Sequence, residues 1–187
     1  HESASGQLWI GTDNGLAEFD REAGSFVSQW LSGNVSKNLI GATISSISED
    51  RNGKLWISSN NKGLITFSPL EKTFRFLNEQ NIPGVVFPSS NVSKVMISSS
   101  GEIWIGFLPE HGLMRFNPET NTSVLFRYHE KDQPGFWNII SDIIETSDHS
   151  IWVTTYNDSD HSGLHRFDEQ TGLFSQYTYQ PNNATSL

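Results

Sequence analysis

The sequence predicts an all-β fold made of successive copies of one four-stranded unit, and three observations carry that prediction. A Trp between apolar neighbours recurs at Trp9, Trp56, Trp104 and Trp152, spaced 47, 48 and 48 residues apart. Each Trp is followed by a Gly-Leu pair and then by a Phe ahead of Asp, Ser or Asn, as in LWIGTDNGLAEFD from Leu8. No segment holds the 3.6-residue apolar period of an amphipathic helix, and a steady spacing near 48 residues exceeds the roughly 34 of helical hairpin repeats.

The second copy shows the unit most plainly. TISSISED (Thr43 to Asp50), KLWISSN (Lys54 to Asn60), GLITFSP (Gly63 to Pro69) and TFRFLNE (Thr73 to Glu79) are each of strand length and rich in Ile, Phe, Thr and Trp. Breaks of Asn, Gly, Pro or charged residues separate them, as hairpins require. Asn52-Gly53, between the first two segments, suits the positive backbone angles of a tight hairpin turn. Gly6 and Gly101 repeat that glycine, whereas the fourth copy, SDHSI, places Ser150 there, so a turn of another type is expected.

Four antiparallel strands leave two faces to cover, and stacking such sheets around an axis covers them. The reading is therefore a partial β-propeller of about four blades. An incomplete blade occupies 1–32 and starts at its second strand; blades follow over 43–79, 91–128 and 139–179, and 180–187 begins a further repeat. Both faces of each sheet then pack on neighbours, so Leu8, Trp9 and Ile10 can all be buried although they point to alternate sides. The Trp becomes a spacer between blades, and Phe19, Phe67, Phe116 and Phe167 continue the packing. These recurring residues build the fold, and function is sought where the copies disagree.

Bulk properties remove several functional classes. A net charge of −9 with no Lys/Arg cluster lacks the footprint of a nucleic-acid or anionic-membrane binder. No apolar run approaches the roughly 20 residues of a membrane-spanning helix, so direct membrane insertion by this segment is not expected. With no cysteine, disulfides and thiolate metal sites are excluded.

The pattern G-x-[LI]-W-[IV]-[GST], then G-L-x-x-F-[DN] and F-x-x-[YF], resembles the two-component regulator propeller repeat over nearly the whole chain. That resemblance implies a piece of a seven-bladed propeller in the periplasmic sensor region of a bacterial protein anchored in the inner membrane, whose output is a histidine kinase, a hybrid kinase or a diguanylate cyclase. It implies partners in the remainder of that sensor protein and a small-molecule or carbohydrate ligand. It supplies no catalytic motif, and no cofactor is expected. Open blade faces at both ends predict self-association, a homodimer being one outcome.

Strand direction alternates, so the turn between strands two and three and the connector to the next blade open at the same end. There the copies diverge: from Trp to the Gly of Gly-Leu is 6, 7, 8 and 11 residues. The insertion TYNDSDHSG and the connectors NIPGVVFPSSN and YHEKDQPGFWN put Phe87, Phe136, Trp137, Tyr156, Asp158, Asp160 and His161 at one rim. Aromatic faces beside carboxylates are what a sugar or small polar ligand uses. Phe136 and Trp137 equally suit ordinary packing between blades.

Asp158, Asp160, Ser162, Gly163 and Glu169 match the spacing of an EF-hand calcium loop. The match needs flanking helices, and GLHRF should instead run straight and carry Glu169 to the far end; a looser calcium site on Asp158 and Asp160 stays open. The six histidines form no metal-ligand spacing, and neither a nucleophile elbow nor a phosphate-cradling loop is present. The expected role is a non-catalytic extracytoplasmic sensor module. The alternatives are a protein interaction scaffold and, with Asp142, Tyr156 and His161 at the mouth, a carbohydrate-active propeller enzyme.

Overall fold

The computed structural model describes residues 1–27, 39–78, 82–108, 112–126, 139–156, 163–177, 182–183 and 186. Among them there is no helix, and fifteen strands form four antiparallel sheets. The first sheet holds β1 (Leu8–Thr12), β2 (Gly15–Asp20) and β3 (Ser25–Phe26). The second holds β4 (Ile44–Glu49), β5 (Leu55–Ser59), β6 (Gly63–Ser68) and β7 (Thr73–Leu77). The third holds β8 (Val92–Ile97), β9 (Ile103–Phe107), β10 (Leu113–Asn117) and β11 (Thr122–Phe126), and the fourth β12 (Ile139–Glu145), β13 (Ile151–Tyr156), β14 (Gly163–Asp168) and β15 (Leu173–Tyr177). Within each sheet neighbours in sequence are neighbours in space. The stack is an open arc of propeller blades.

In the first blade, residues 1–3 stand in for the strand that the repeat pattern leaves out. Glu2 bridges antiparallel to Leu8, the Trp9 amide donates to the His1 carbonyl at 2.8 Å, and the Ser3 amide donates to the Gln7 carbonyl at 2.8 Å.

Three apolar cores lie between the blades, each built around the Trp of one copy and the inner strands of the next. Trp9 packs with Ile44, Leu55, Ile57 and Phe67, Trp56 with Val92, Val95, Ile105 and Phe116, and Trp104 with Ile140, Ile143, Val153 and Phe167. The recurring Phe of one blade meets the Trp of the blade before it, with ring centroids 5.3, 6.2 and 5.5 Å apart. A Trp that spaces blades thus has a partner fixed by the same repeat.

Close approach explains the small residue two positions after each Trp. A Cβ on Gly11 would lie 2.6 Å from Ile44 Cγ2, and one on Gly106 would lie 2.7 Å from Ile140 Cγ2. In the second blade the position is Ser58, fully buried, and its hydroxyl lies 2.8 Å from that of Ser45.

The first strands of successive blades lie side by side, β4 against β8 and β8 against β12. Each carries an irregularity in pairing at the same repeat position, between Ile44 and Ser46, Val92 and Lys94, and Ile140 and Asp142, where Ser45, Ser93 and Ser141 are the extra residues. These are β-bulges, which bend an edge strand and re-aim its side chains. Side chains then bridge the inner edges: the buried Val95 amide donates to Ser46 Oγ at 3.0 Å, and Ser48 Oγ donates to the Val95 carbonyl at 2.9 Å. One blade further on, Lys94 Nζ meets Asp142 Oδ1 at 2.7 Å.

The turns between first and second strands correct the expectation at Asn52-Gly53 and Ser150. Gly6, Gly53, Gly101 and His149 all have positive φ, 85°, 75°, 88° and 64°, and each donates its amide to the residue three back at 2.8 or 2.9 Å. Asn52 is not left-handed. The turn is a three-residue loop with the left-handed residue closing a bulge, not a two-residue turn. It has the same form in all four copies, and His149 rather than Ser150 occupies the glycine position.

Candidate ligand-binding rim

At the end where the second-to-third turns and the blade connectors open, the connector after β7 folds back over its own blade. The Ile82 amide donates to the Asn78 carbonyl at 3.0 Å, and Val85 amide to the Ile82 carbonyl at 3.2 Å, forming a compact bend. Val85 is fully buried, which anchors the bend to the core around Trp56, and Phe87 packs against the same core while remaining partly exposed. Gly63 opens β6 at φ 79°, and its missing Cβ would sit 3.7 Å from the Ser90 Cα. A glycine there lets the connector pass close to the strand.

A cleft of about 470 Å³ results, lined by Lys62, Gly63, Leu64, Phe76, Leu77, Asn78, Phe87, Ser89 and Ser90. Its wall combines two aromatic rings, an amide, two hydroxyls and one ammonium group. The volume lies within the roughly 300–1,000 Å³ of small-ligand sites, and apolar walls with a few polar groups are their usual composition.

Of the rim residues expected from sequence, Phe87 lines this cleft. Tyr156 ends β13 in the fourth blade, opposite Ile139 in register and 62% exposed. It shares the open end with Phe87 but does not line the cleft. Phe136, Trp137, Asp158, Asp160 and His161 lie outside the described residues. Phe76 and Lys62 were not anticipated, because Phe76 sits on a repeat strand and only the fold-back of the connector gives it a second role.

Of the EF-hand match, Asp158, Asp160 and Ser162 lie outside the described residues. β14 runs straight from Gly163 to Asp168 and carries Glu169 beyond its far end, where Glu169 Oε2 accepts from Arg115 Nη1 at 3.1 Å. Six strand residues span about 20 Å, so Gly163 and Glu169 stand at opposite ends of β14. Among the described residues no three His, Cys, Asp or Glu side chains group as a metal site.

Two other constellations have chemical groups without catalytic geometry. Ser99, His149 and Glu145 converge, but Ser99 Oγ and Glu145 Oε1 both approach the same ring nitrogen, Nδ1, at 3.0 Å, and lie 2.7 Å from each other. The hydroxyl donates to the carboxylate directly, so no imidazole stands between nucleophile and acid. Burial opposes ionisation of Glu145, yet hydrogen bonds from the Ser99 side chain and amide and from His149 outweigh it and hold its pKa below the ordinary value. This is a clamp between blades. Its counterpart is Glu49, which accepts from the Ala4 amide at 2.8 Å and meets His1 Nε2 at 3.2 Å.

His165, on β14, is 2% exposed with Nε2 2.9 Å from Thr155 Oγ1, and burial pushes its imidazole pKa down. It belongs to the blade interior. Asp142 is paired with Lys94 and also accepts its neighbour's amide, from Ile143, at 2.9 Å.

A sequence profile for the two component regulator propeller, Reg_prop, matches residues 38–61. Residues 38–61 thus match one two component regulator propeller repeat. The match spans the end of the connector, β4, β5 and the turn between them in the second blade. Among solved structures, the extracellular domain of BT4673 from B. thetaiotaomicron, assigned as a hybrid two component system, aligns over 97% of this chain and 22% of its own, at TM-score 0.68 and 20% identity. That of BT3049 from the same organism, assigned likewise, aligns over 100% and 22%, at TM-score 0.68 and 23% identity. Virginiamycin B lyase from Staphylococcus aureus aligns over 100% and 56%, at TM-score 0.65 and 15% identity. At these identities the likeness is one of fold, and the chain spans about a fifth of the length of the two sensor domains. No curated protein matches the sequence.

Proposed function

We propose that this chain is a non-catalytic, extracytoplasmic sensor module of a bacterial two-component or cyclic-di-GMP signalling protein, and that it binds a small polar ligand, a carbohydrate in the first instance, at the rim of the second blade. The observation that carries the ligand reading is the cleft between β6, β7 and the connector, with Phe76 and Phe87 beside Lys62, Asn78, Ser89 and Ser90. Flat rings suit the apolar face of a sugar, and the polar groups suit its hydroxyls. The propeller repeat and the fold shared with two extracellular sensor domains support the cellular role. No described helix is long and apolar enough to cross a membrane, so anchoring is a property of other parts of the protein in this reading.

The mechanism is population shift. A ligand held between a blade and its connector favours one arrangement of the propeller relative to its neighbours, and the differential affinity biases the output. The lyase neighbour shares the fold alone, and of the residues an enzymatic reading would use, Asp142 is engaged by Lys94, Tyr156 does not line the cleft and His161 lies outside the described residues. A thermal-shift screen against neutral and charged oligosaccharides tests the proposal. A ligand of the native state raises the melting temperature of the wild type and leaves that of Phe87→Ala unmoved. Equal shifts in both proteins would place binding elsewhere.

A further inference from the structure

The turn between β5 and β6 brings one cation to the mouth of the cleft and fixes the backbone that carries it. Ser59, fully buried at the end of β5, accepts the amides of Asn61 at 3.4 Å and Lys62 at 3.2 Å on its hydroxyl oxygen, and the same hydroxyl donates to Asn61 Oδ1 at 2.9 Å. Asn61 ties the turn to the connector before it, accepting the Thr43 amide at 3.0 Å and donating to the Gly41 carbonyl at 2.6 Å. The Lys62 backbone is therefore set before any ligand arrives, which lowers the ordering cost of binding. In the other copies the residue before the Gly-Leu glycine is Asn14, His111 or Ser162, so a permanent positive charge at this place belongs to the second blade alone.

That charge is uncompensated. Arg21, Lys94, Arg115 and Arg166 each meet a carboxylate, whereas Lys62 meets none among the described residues. No Asp or Glu lines the cleft, although acidic residues outnumber basic ones by 21 to 12 in the chain. Beside Lys62 the next connector passes close, with the Ser90 Cα 3.7 Å from where a Cβ on Gly63 would stand. Ser89 Oγ already accepts the Asn91 amide at 3.0 Å, which leaves its hydroxyl proton to donate. The lining thus offers an ammonium and hydroxyl donors but no carboxylate to accept the hydroxyl protons of a neutral sugar.

Resting on the reading of this cleft as a ligand site, we infer that it selects a carboxylate-bearing saccharide, a uronate, over its neutral counterpart. Lys62 meets the carboxylate, Ser89 and Ser90 donate to its oxygens or to neighbouring ring oxygens, and Phe87 covers the apolar side of the sugar. One ammonium balances one carboxylate. Sulfate and phosphate esters are matched instead by the planar fork of Arg or by several cations, and no Arg lines the cleft. Lys62 is then the residue that sets specificity, and Phe87 serves acidic and neutral glycans alike.

Calorimetry of the chain with galacturonate and glucuronate oligosaccharides, each beside its carboxyl-reduced counterpart, tests the selection. The wild type is expected to bind a uronate about tenfold more tightly than the reduced form, the effect of one charge-assisted hydrogen bond, and the ratio should shrink as salt rises. Lys62 is exposed, so its substitution is compatible with folding. Lys62→Gln should bring the ratio towards one and Lys62→Arg should restore it, while Phe87→Ala weakens both glycans. Equal affinities within each pair, both lost in Phe87→Ala, overturn the charge selection and leave the cleft as the ligand site. A uronate preference that persists in Lys62→Gln overturns it as well. A panel in which no member of any pair binds, or in which Phe87→Ala changes nothing, overturns the cleft reading together with the selection.

Discussion

Trp104 and Phe167, 63 residues apart in sequence, meet edge to face between the third and fourth blades with ring centroids 5.5 Å apart and an interplanar angle of 70°. Both are nearly fully buried, so their contact joins two sheets that share no strand. Truncating a buried Phe costs about 3–5 kcal/mol, and an aromatic pair couples by about 0.5–1.5 kcal/mol beyond area. Phe167→Ala is expected to lower the urea midpoint sharply, and a double-mutant cycle with Trp104→Leu should return a coupling of about 1 kcal/mol. Strict additivity would show that the two rings pack independently.

Gly106 gives the steric counterpart. An added methyl would sit 2.7 Å from Ile140 Cγ2 and 2.9 Å from its Cβ, so the first strand of the next blade must move. Gly106→Ala should destabilise by about 1–3 kcal/mol, as overpacking does, and a second change, Ile140→Val, which removes only Cδ1 and keeps Cβ and Cγ2, should not relieve it. Denaturant unfolding of the single and double variants measures both.

The inner-edge bridge depends on one hydroxyl. Val95 is fully buried and its amide donates to Ser46 Oγ at 3.0 Å. Ser46→Ala leaves that donor without its acceptor and is expected to cost about 1–3 kcal/mol. Amide hydrogen exchange at Val95 should accelerate in the variant, and unchanged exchange would assign the protection to packing alone.

The turn at His149 carries a left-handed residue that glycine supplies in the other three copies. A β-branched side chain tolerates that conformation least. His149→Val should lose about 1–2 kcal/mol, while His149→Gly should match or exceed the wild type, since the ring is 74% exposed and its contact with Glu145 is a surface pair. Thermal melts of the two variants decide this.

Acid weakens the fold through several groups with the same sign, of which His165 and Glu145 are the most buried. The folded state holds His165 neutral, its pKa lowered by burial, so its contribution is full above about pH 6.5 and falls as the unfolded imidazole begins to take up protons below that. Glu145 has a lowered pKa, so its clamp is intact above the ordinary carboxylate range and is lost as pH falls through the folded value. Melting temperature should therefore drop from about pH 8 to pH 5 through His165 and further below through Glu145. His165→Gln should flatten the upper part of that profile and leave the lower part.

Much of the fold is legible in the sequence because one contact repeats: a Trp and a Phe at fixed places in each copy mark the strands and the faces between sheets. Other features were equally periodic but less conspicuous. Ser45, Ser93 and Ser141 recur at the 48-residue interval, yet a bulge adds one residue without breaking the apolar pattern around it. His149 was hidden by a shift of one residue, because chemistry suggests glycine where only the backbone angle is required. At the rim, the connector announced Phe87 by its aromatic residue in a polar stretch. Phe76 and Lys62 gave no such sign, since their role arises from chain folding back across β6 and β7.

Hydrogen–deuterium exchange of the chain with and without an oligosaccharide hit from the thermal screen tests the ligand reading most directly. Protection is expected to concentrate in residues 62–64, 76–78 and 87–90, the walls of the cleft, and to disappear in Phe87→Ala. Protection confined to other blades, or to the opposite end of the sheets, would contradict it.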